Sequence, residues 1–191
     1  MSRVVFLDRD GTLNAEVGFV AQPDQLRVLP GVPEAVARLH GAGYRIVVVT
    51  NQSGIARGLY SPADLARVHA RLHQALHGLP LAYLHCPHHP EAPPPWGGPC
   101  SCRKPAPGLL LQARELLGLS FDGAVLIGDS ARDLLMAREL PAIRTIYVHS
   151  GKPPVDELSA LWTAGVRPHA QAVALPEAVE ALLVQERLER R

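Results

Sequence analysis

Three short stretches of this chain hold residue types that can do chemistry on an anion. Asp8-Arg9-Asp10-Gly11-Thr12 sets two carboxylates two residues apart, directly after the apolar run Val4-Val5-Phe6-Leu7. On extended backbone such residues face the same side, so Asp8 and Asp10 would share one opening. Thr50-Asn51-Gln52-Ser53-Gly54 and Gly128-Asp129-Ser130 end two further apolar runs, 45–49 and 124–127. Carboxylates at Asp8, Asp10 and Asp129 form a hard oxygen set suited to Mg²⁺. Thr50 and the amides after it can donate to phosphate oxygens. Lys104 can add a point charge to the same anion. Phosphoryl transfer asks mainly for such charge neutralisation and positioning. An aspartate is already anionic at neutral pH and can attack without a base, once a metal offsets its repulsion from phosphate. A second carboxylate two residues on can protonate the leaving oxygen and then take a proton from water.

A second cluster lies in a Pro/Gly-rich segment, 86–104. Cys86-Pro87-His88 and Cys100-Ser101-Cys102 are separated by eleven residues, and they contain all three cysteines of the chain. An odd number of cysteines fits poorly with a disulfide framework. Three thiolates and one imidazole suit a closed, tetrahedral, structural Zn²⁺. The residue types alone leave His89 open as an alternative to His88. The segment has little apolar content, so the metal would pin it and place Arg103 and Lys104, which follow at once.

The elements that must position these residues alternate. Strands are expected at 4–7, 45–49, 81–85, 124–127, 144–148 and 170–173. Helices are expected at 30–42, 62–77, 107–117, 131–140, 155–165 and 176–187. Ser61 caps the second helix and Pro62 opens it. The alternation predicts an α/β fold: a three-layer, Rossmann-like, doubly wound parallel sheet with helices on both faces. Residues 1–191 read as a single domain without repeat or linker. In such sheets the crevice lies at the carboxyl ends of the strands, so the three polar tips are expected to converge. No long insert after Asp10 or Gly54 suggests a large cap domain; the polar loop 14–30 and the zinc loop are left to cover the site.

Composition excludes several alternatives. A formal net charge of +1 gives no case for nucleic acid or an anionic membrane, and no apolar run approaches the ~20 residues of a membrane span. The chain enters its first strand without a signal peptide, so a cytoplasmic monomer acting on a small phosphorylated metabolite is expected. Basic residues are skewed, with 17 Arg against two Lys, Lys104 and Lys152. Nucleotide-binding glycine loops and a Gly-x-Ser-x-Gly elbow are missing. A zinc-ribbon binding module would explain the Cys/His cluster but not the acidic strand tips. His69, His73 and His77 repeat every four residues and read as a solvated or half-buried helix face. Trp96 reads as a packing anchor, Asp133 as a residue that orients a neighbour, and 187–191 as a solvated helix end.

The motifs together resemble the haloacid dehalogenase superfamily. Asp8-Arg9-Asp10-Gly11-Thr12, Thr50-Asn51-Gln52-Ser53-Gly54, Arg103-Lys104-Pro105 and Gly128-Asp129-Ser130-Ala131-Arg132-Asp133 look like its four motifs, in order. The resemblance implies Asp8 as the phosphorylated nucleophile and Asp10 as general acid/base. It implies Thr50 as a phosphate ligand and Lys104 as the stabilising lysine. Mg²⁺ would be held by Asp8, Asp129 and the Asp10 carbonyl. The zinc loop is similar to that of a group holding heptose-bisphosphate phosphatases and bacterial histidinol-phosphate phosphatase domains. That likeness implies Cys86, His88, Cys100 and Cys102 as ligands and Glu16, Val17, Gly18 and Phe19 as a substrate-facing loop. Asn51, Gln52, Ser53, Arg103 and Ser130 complete the expected substrate-binding set. Enzymes of the group can have a lysine where this chain has Ser130. A heptose bisphosphate is the expected substrate, with histidinol phosphate as the alternative.

Overall fold

A computed structural model describes residues 3–189; Arg190 and Arg191, part of the expected solvated helix end, lie outside them. Six strands form one parallel sheet: β1 (Val4–Leu7), β2 (Arg45–Asn51), β3 (Ala82–Cys86), β4 (Ala124–Gly128), β5 (Ile143–Val148) and β6 (Ala170–Ala172), in the order β3-β2-β1-β4-β5-β6. Every neighbouring pair is parallel. Consecutive parallel strands need a crossover, and helices supply it. They are α1 (Val32–Gly41), α2 (Pro62–Ala75), α3 (Gly108–Leu117), α4 (Ala131–Leu135), α5 (Pro154–Thr163) and α6 (Leu175–Glu189).

The unbroken apolar run of β1 follows from burial on both faces. Val5 and Leu7 pack with Val36 and Leu39 of α1 and Val179 of α6, whereas Val4 and Phe6 pack with Leu109 and Ala113 of α3. The result is the expected three-layer fold. β1 lies between β2 and β4, so the chain winds outward in both directions from it. The crevice of such a sheet opens where the winding reverses, at the carboxyl ends of β1 and β4.

Three local differences from the expected elements have physical reasons. β2 runs on through Thr50 and Asn51, because Thr50 pairs with His85 and Asn51 with Cys86; both residues therefore sit on the ladder. The helix expected over 131–140 stops at Leu135. Beyond it Met136, Ala137 and Arg138 donate to the carbonyls three residues back, a tighter coil than the α-helix, and Pro141 follows. His69 is buried, because α2 turns it onto β3, where it stacks on Tyr83 at 5.0 Å. His73 meets the same ring edge-on, and His77 lies past the end of α2. Among the described residues none of the three joins a metal-binding group.

Other expectations hold. Ser61 caps α2 by accepting from the Asp64 amide at 3.1 Å. Trp96 packs against the cluster of Ile55, Tyr60 and Leu65, which anchors the Cys/His loop on its apolar side.

Candidate active site

The three polar strand tips converge on one open cleft of about 170 Å³, lined by Asp8, Asp10, Thr50, Lys104, Asp129 and Asp133 among others. Gly11 lets the chain leave β1 at once. Its φ is +87°, and a Cβ there would fall 2.3 Å from Asp129 Oδ2. Only glycine satisfies both the left-handed backbone and the close approach. The first and fourth motifs are thus pressed together.

Lys104 is the hub. Its Nζ donates to Asp8 Oδ1 at 2.6 Å and to Asp133 Oδ1 at 2.7 Å, and all three side chains are buried. The Asn51 amide holds the lysine's backbone from both sides, donating to the Lys104 carbonyl at 3.3 Å and accepting from its N–H at 3.1 Å. The other oxygen of Asp133 accepts from Ser130 N–H and Oγ, at 3.0 and 2.8 Å. Both Asp133 oxygens are therefore engaged, which makes it the residue that orients Lys104 and caps α4.

Asp10 faces a different set of donors. Its carboxylate accepts from Arg9 (Nη2 at 2.9 Å), Asn14 (Nδ2 at 3.0 Å) and Gln52 (Nε2 at 3.0 Å). Gln52 also donates to Thr50 Oγ1 at 2.8 Å, and its own carbonyl is fixed by Tyr60 OH at 2.6 Å.

The electrostatics ask for a cation. Carboxylate oxygens of Asp8, Asp129 and Asp133 all lie within 4.8 Å of one another. Burial, and then Asp133, push the Asp8 carboxyl well above its usual range even though Lys104 pulls the other way. Burial and Asp133 likewise push Asp129 up to about 7, against Lys152 and Lys104. Burial alone would lower Lys104, yet Asp133 and Asp8 hold it well up. One lysine cannot neutralise this many buried carboxylates, and the donors are hard oxygens. Mg²⁺ fits such a set, and Asp8 with Asp129 are placed to hold it. The Asp10 side chain is committed elsewhere, to Arg9, Asn14 and Gln52.

The thiol–imidazole cluster forms as spaced. Cys86 Sγ lies 3.6 Å from His88 Nδ1 and 3.7 Å from Cys100 Sγ; Cys102 Sγ lies 3.3 Å from His88 Nδ1 and 3.7 Å from Cys100 Sγ. With Zn–S near 2.3 Å and Zn–N near 2.0–2.1 Å, the edges of a regular tetrahedron come to roughly 3.5–3.8 Å. These four side chains fit zinc in size, softness and number. His89 is turned away, with its Nε2 2.7 Å from Arg57 Nη2. Arg57 does not line the cleft. Arg103 donates to the His88 carbonyl at 3.0 Å, tying the Cys/His loop to the cleft wall.

Most of the remaining expected residues line the cleft: Glu16, Gly18, Phe19, Asn51, Gln52, Ser53, Arg103 and Ser130. Val17 does not, and needs correcting. Glu16 Oε1 accepts from Gly18 N–H at 2.9 Å, and this tight turn leaves Val17 outside, facing solvent. Sequence reasoning missed Arg9, Asn14, Tyr60, Arg132 and Lys152. Arg9 lay in plain view inside the first motif. Lys152, one of only two lysines, comes from the β5–α5 connection, and its N–H donates to Asp129 Oδ2 at 3.1 Å. Arg132 lay inside the fourth motif, whereas Asn14 and Tyr60 had no local signal.

Comparisons with known proteins bear on this geometry. The model of the haloacid dehalogenase-like hydrolases matches residues 3–140. The D-glycero-beta-D-manno-heptose-1,7-bisphosphate 7-phosphatase of Pasteurella multocida (strain Pm70) is 38% identical over 160 residues, covering 82% of this chain and 87% of that one. The protein of the same name from Escherichia coli (strain K12) is 36% identical over 164 residues, covering 83% and 86%. A crystal structure of D,D-heptose 1,7-bisphosphate phosphatase from B. bronchiseptica, complexed with magnesium and phosphate, superposes with a TM-score of 0.82 at 33% identity, over 96% of this chain and 99% of that one. With four ordered motifs meeting at the strand tips of a doubly wound sheet, and a family model that spans them, the chain belongs to the haloacid dehalogenase-like hydrolases.

Proposed function

We propose that this protein is a Mg²⁺-dependent phosphomonoesterase that works through a phospho-aspartate at Asp8 and removes the 7-phosphate of D-glycero-D-manno-heptose 1,7-bisphosphate. One observation carries the reading: a buried Asp8 beside Lys104 and Asp129, with Asp10 two residues on, in a single open cleft. One Asp8 oxygen is held by Lys104, and the other is left to attack phosphorus. The P–O bond to the sugar breaks, and Asp10 gives its proton to the departing oxygen. Asp10 then takes a proton from water as that water attacks the acyl phosphate. The Asp8–phosphorus bond breaks, and inorganic phosphate leaves. Lys104 and Thr50 stabilise the charge on the phosphoryl oxygens in both halves. Bound Mg²⁺ supplies electrostatic stabilisation of that charge and screens Asp8 from the anion it must approach. Zn²⁺ on Cys86, His88, Cys100 and Cys102 has a structural role, fixing the loop that presents Arg103 and Lys104.

The substrate assignment has its own support. The relatives named above act on the heptose bisphosphate. A bisphosphate brings a second anion, and Arg103, Arg132 and Lys152 line the cleft. Among the described residues none of these three forms a salt bridge. They replace, from other elements, the cation that position 130 lacks. Histidinol phosphate would instead need a carboxylate for its ammonium group. Glu16 is the candidate, and it is already engaged by Gly18. We take the enzyme to act as a cytoplasmic monomer; among the described residues no helix is long and apolar enough to cross a membrane.

Specificity is a ratio of kcat/KM values. A panel of phosphate esters should place the heptose bisphosphate at least tenfold above histidinol phosphate, and Asp8→Asn should abolish turnover of both without unfolding the chain. A tenfold preference for histidinol phosphate would overturn the substrate, and full activity of Asp8→Asn would overturn the mechanism.

A further inference from the structure

Arg9 is the largest of the fully buried side chains, at 1% exposure. A buried guanidinium is stable only with a counter-charge and filled hydrogen bonds. Its surroundings offer little choice. Burial, Arg9 and His85 together push the His69 imidazole down to about 3, and burial and Arg9 push His85 down as well, so both rings nearby are neutral at working pH. Arg9 Nη1 has no partner. Among the described residues the only carboxylate paired with Arg9 is Asp10. There the contact is a fork: Nε lies 3.2 and 3.1 Å from the two Asp10 oxygens and Nη2 lies 2.9 Å from Oδ1. Paired donors of this kind fix both the position and the plane of a carboxylate. Asn14 and Gln52 add one donor to each oxygen. The Arg9 carbonyl in turn accepts from Leu13 and Asn14 N–H, at 2.8 and 3.1 Å, so the arginine and the turn that holds Asp10 are one unit.

We infer that Arg9 is a positioning residue for proton transfer: its forked contact fixes the place and plane of the Asp10 carboxyl that meets the leaving-group oxygen. This rests on the phosphatase reading above. It predicts a dependence on leaving group. A sugar alkoxide departs only with a proton, whereas p-nitrophenolate departs without one. The parameter kcat/KM covers steps up to formation of phospho-Asp8, so it excludes the later deprotonation of water, in which Asp10 serves every ester alike.

The experiment compares kcat/KM for a sugar phosphate and for p-nitrophenyl phosphate in wild type, Asp10→Asn, Arg9→Met and Arg9→Lys. General acid catalysis is typically worth ~10²–10⁴-fold. Arg9→Met should lose about 10²-fold on the sugar phosphate and less than about threefold on p-nitrophenyl phosphate, the same selectivity as Asp10→Asn though smaller. Arg9→Lys keeps the charge without the fork; it should lie between wild type and Arg9→Met, and it carries the test if Arg9→Met does not fold. A wild-type protein that hydrolyses neither ester sinks the phosphatase reading. If wild type and Asp10→Asn behave as expected while the Arg9 variants lose both esters equally, or neither, the role assigned to Arg9 alone is overturned.

Discussion

Binding of Mg²⁺ to this site should expel protons, chiefly from Asp129. Asp129, held up to about 7 by burial and Asp133, is largely protonated in the metal-free protein at pH 6. A metal binds the carboxylate, not the acid, so the proton must leave. For one group of pKa near 7, apparent affinity should fall about tenfold between pH 8 and pH 6 and be nearly flat above pH 8. Burial and Asp133 raise the Asp8 carboxyl in the same direction. The sign for folding runs oppositely. The folded, metal-free chain holds the Asp129 proton more tightly than the unfolded chain, whose carboxyl has the ordinary value of 3.8. That contribution to stability is complete below the ordinary value and is lost as pH rises through about 7.

Calorimetric titration with MgCl₂ in two buffers of different ionisation heat counts the protons directly. More protons per Mg²⁺ should appear at pH 6.5 than at pH 8, where Asp129 is already a carboxylate. Equal affinity at pH 6 and pH 8, with no buffer-dependent heat, would refute the claim that excess buried carboxylate makes this a metal site.

Two further outcomes concern the scaffold. Protein purified without added metal should hold about one equivalent of zinc, and stripping it should lower Tm and activity together, since structural zinc contributes ~10–16 kcal/mol to small sites at neutral pH; a zinc-free chain with full activity overturns this. Gly11→Ala should lose about 1–2 kcal/mol in chemical denaturation from its left-handed backbone alone, and Mg²⁺ affinity should fall because the new methyl meets Asp129 Oδ2. Wild-type stability and wild-type Mg²⁺ binding in that variant would show that the close approach is relaxed elsewhere.

What could be read from the chain and what could not divides along a physical line. Periodicity exposes burial, so every strand of the sheet was legible, and strand ends located Asp8, Thr50 and Asp129. The spacing of Cys86, His88, Cys100 and Cys102 was legible because ligand chemistry demands those residue types. α4 was overextended, because the turns after Leu135 keep an apolar pattern while their hydrogen bonds tighten. Val17 was misplaced because a motif-adjacent loop has no periodicity to say which side chain turns outward.

The residues missed altogether share a different cause. Arg9, Asn14 and Tyr60 act by hydrogen-bonding to other side chains, and a one-dimensional pattern holds no trace of such pairing across a fold. Yet they divide the site into two electrostatic halves. Around Asp8 and Asp129 carboxylates outnumber cations, so the charge balance is left for a metal and a phosphoryl group to complete. Around Asp10 the donors outnumber the acceptors: Arg9, Asn14 and Gln52 converge on one carboxylate. Two aspartates separated by a single residue therefore have opposite environments, one short of positive charge and one saturated with donors. That difference, with Arg9 paired to Asp10 alone among the described carboxylates, fits the proposed division of roles, nucleophile at Asp8 and proton carrier at Asp10.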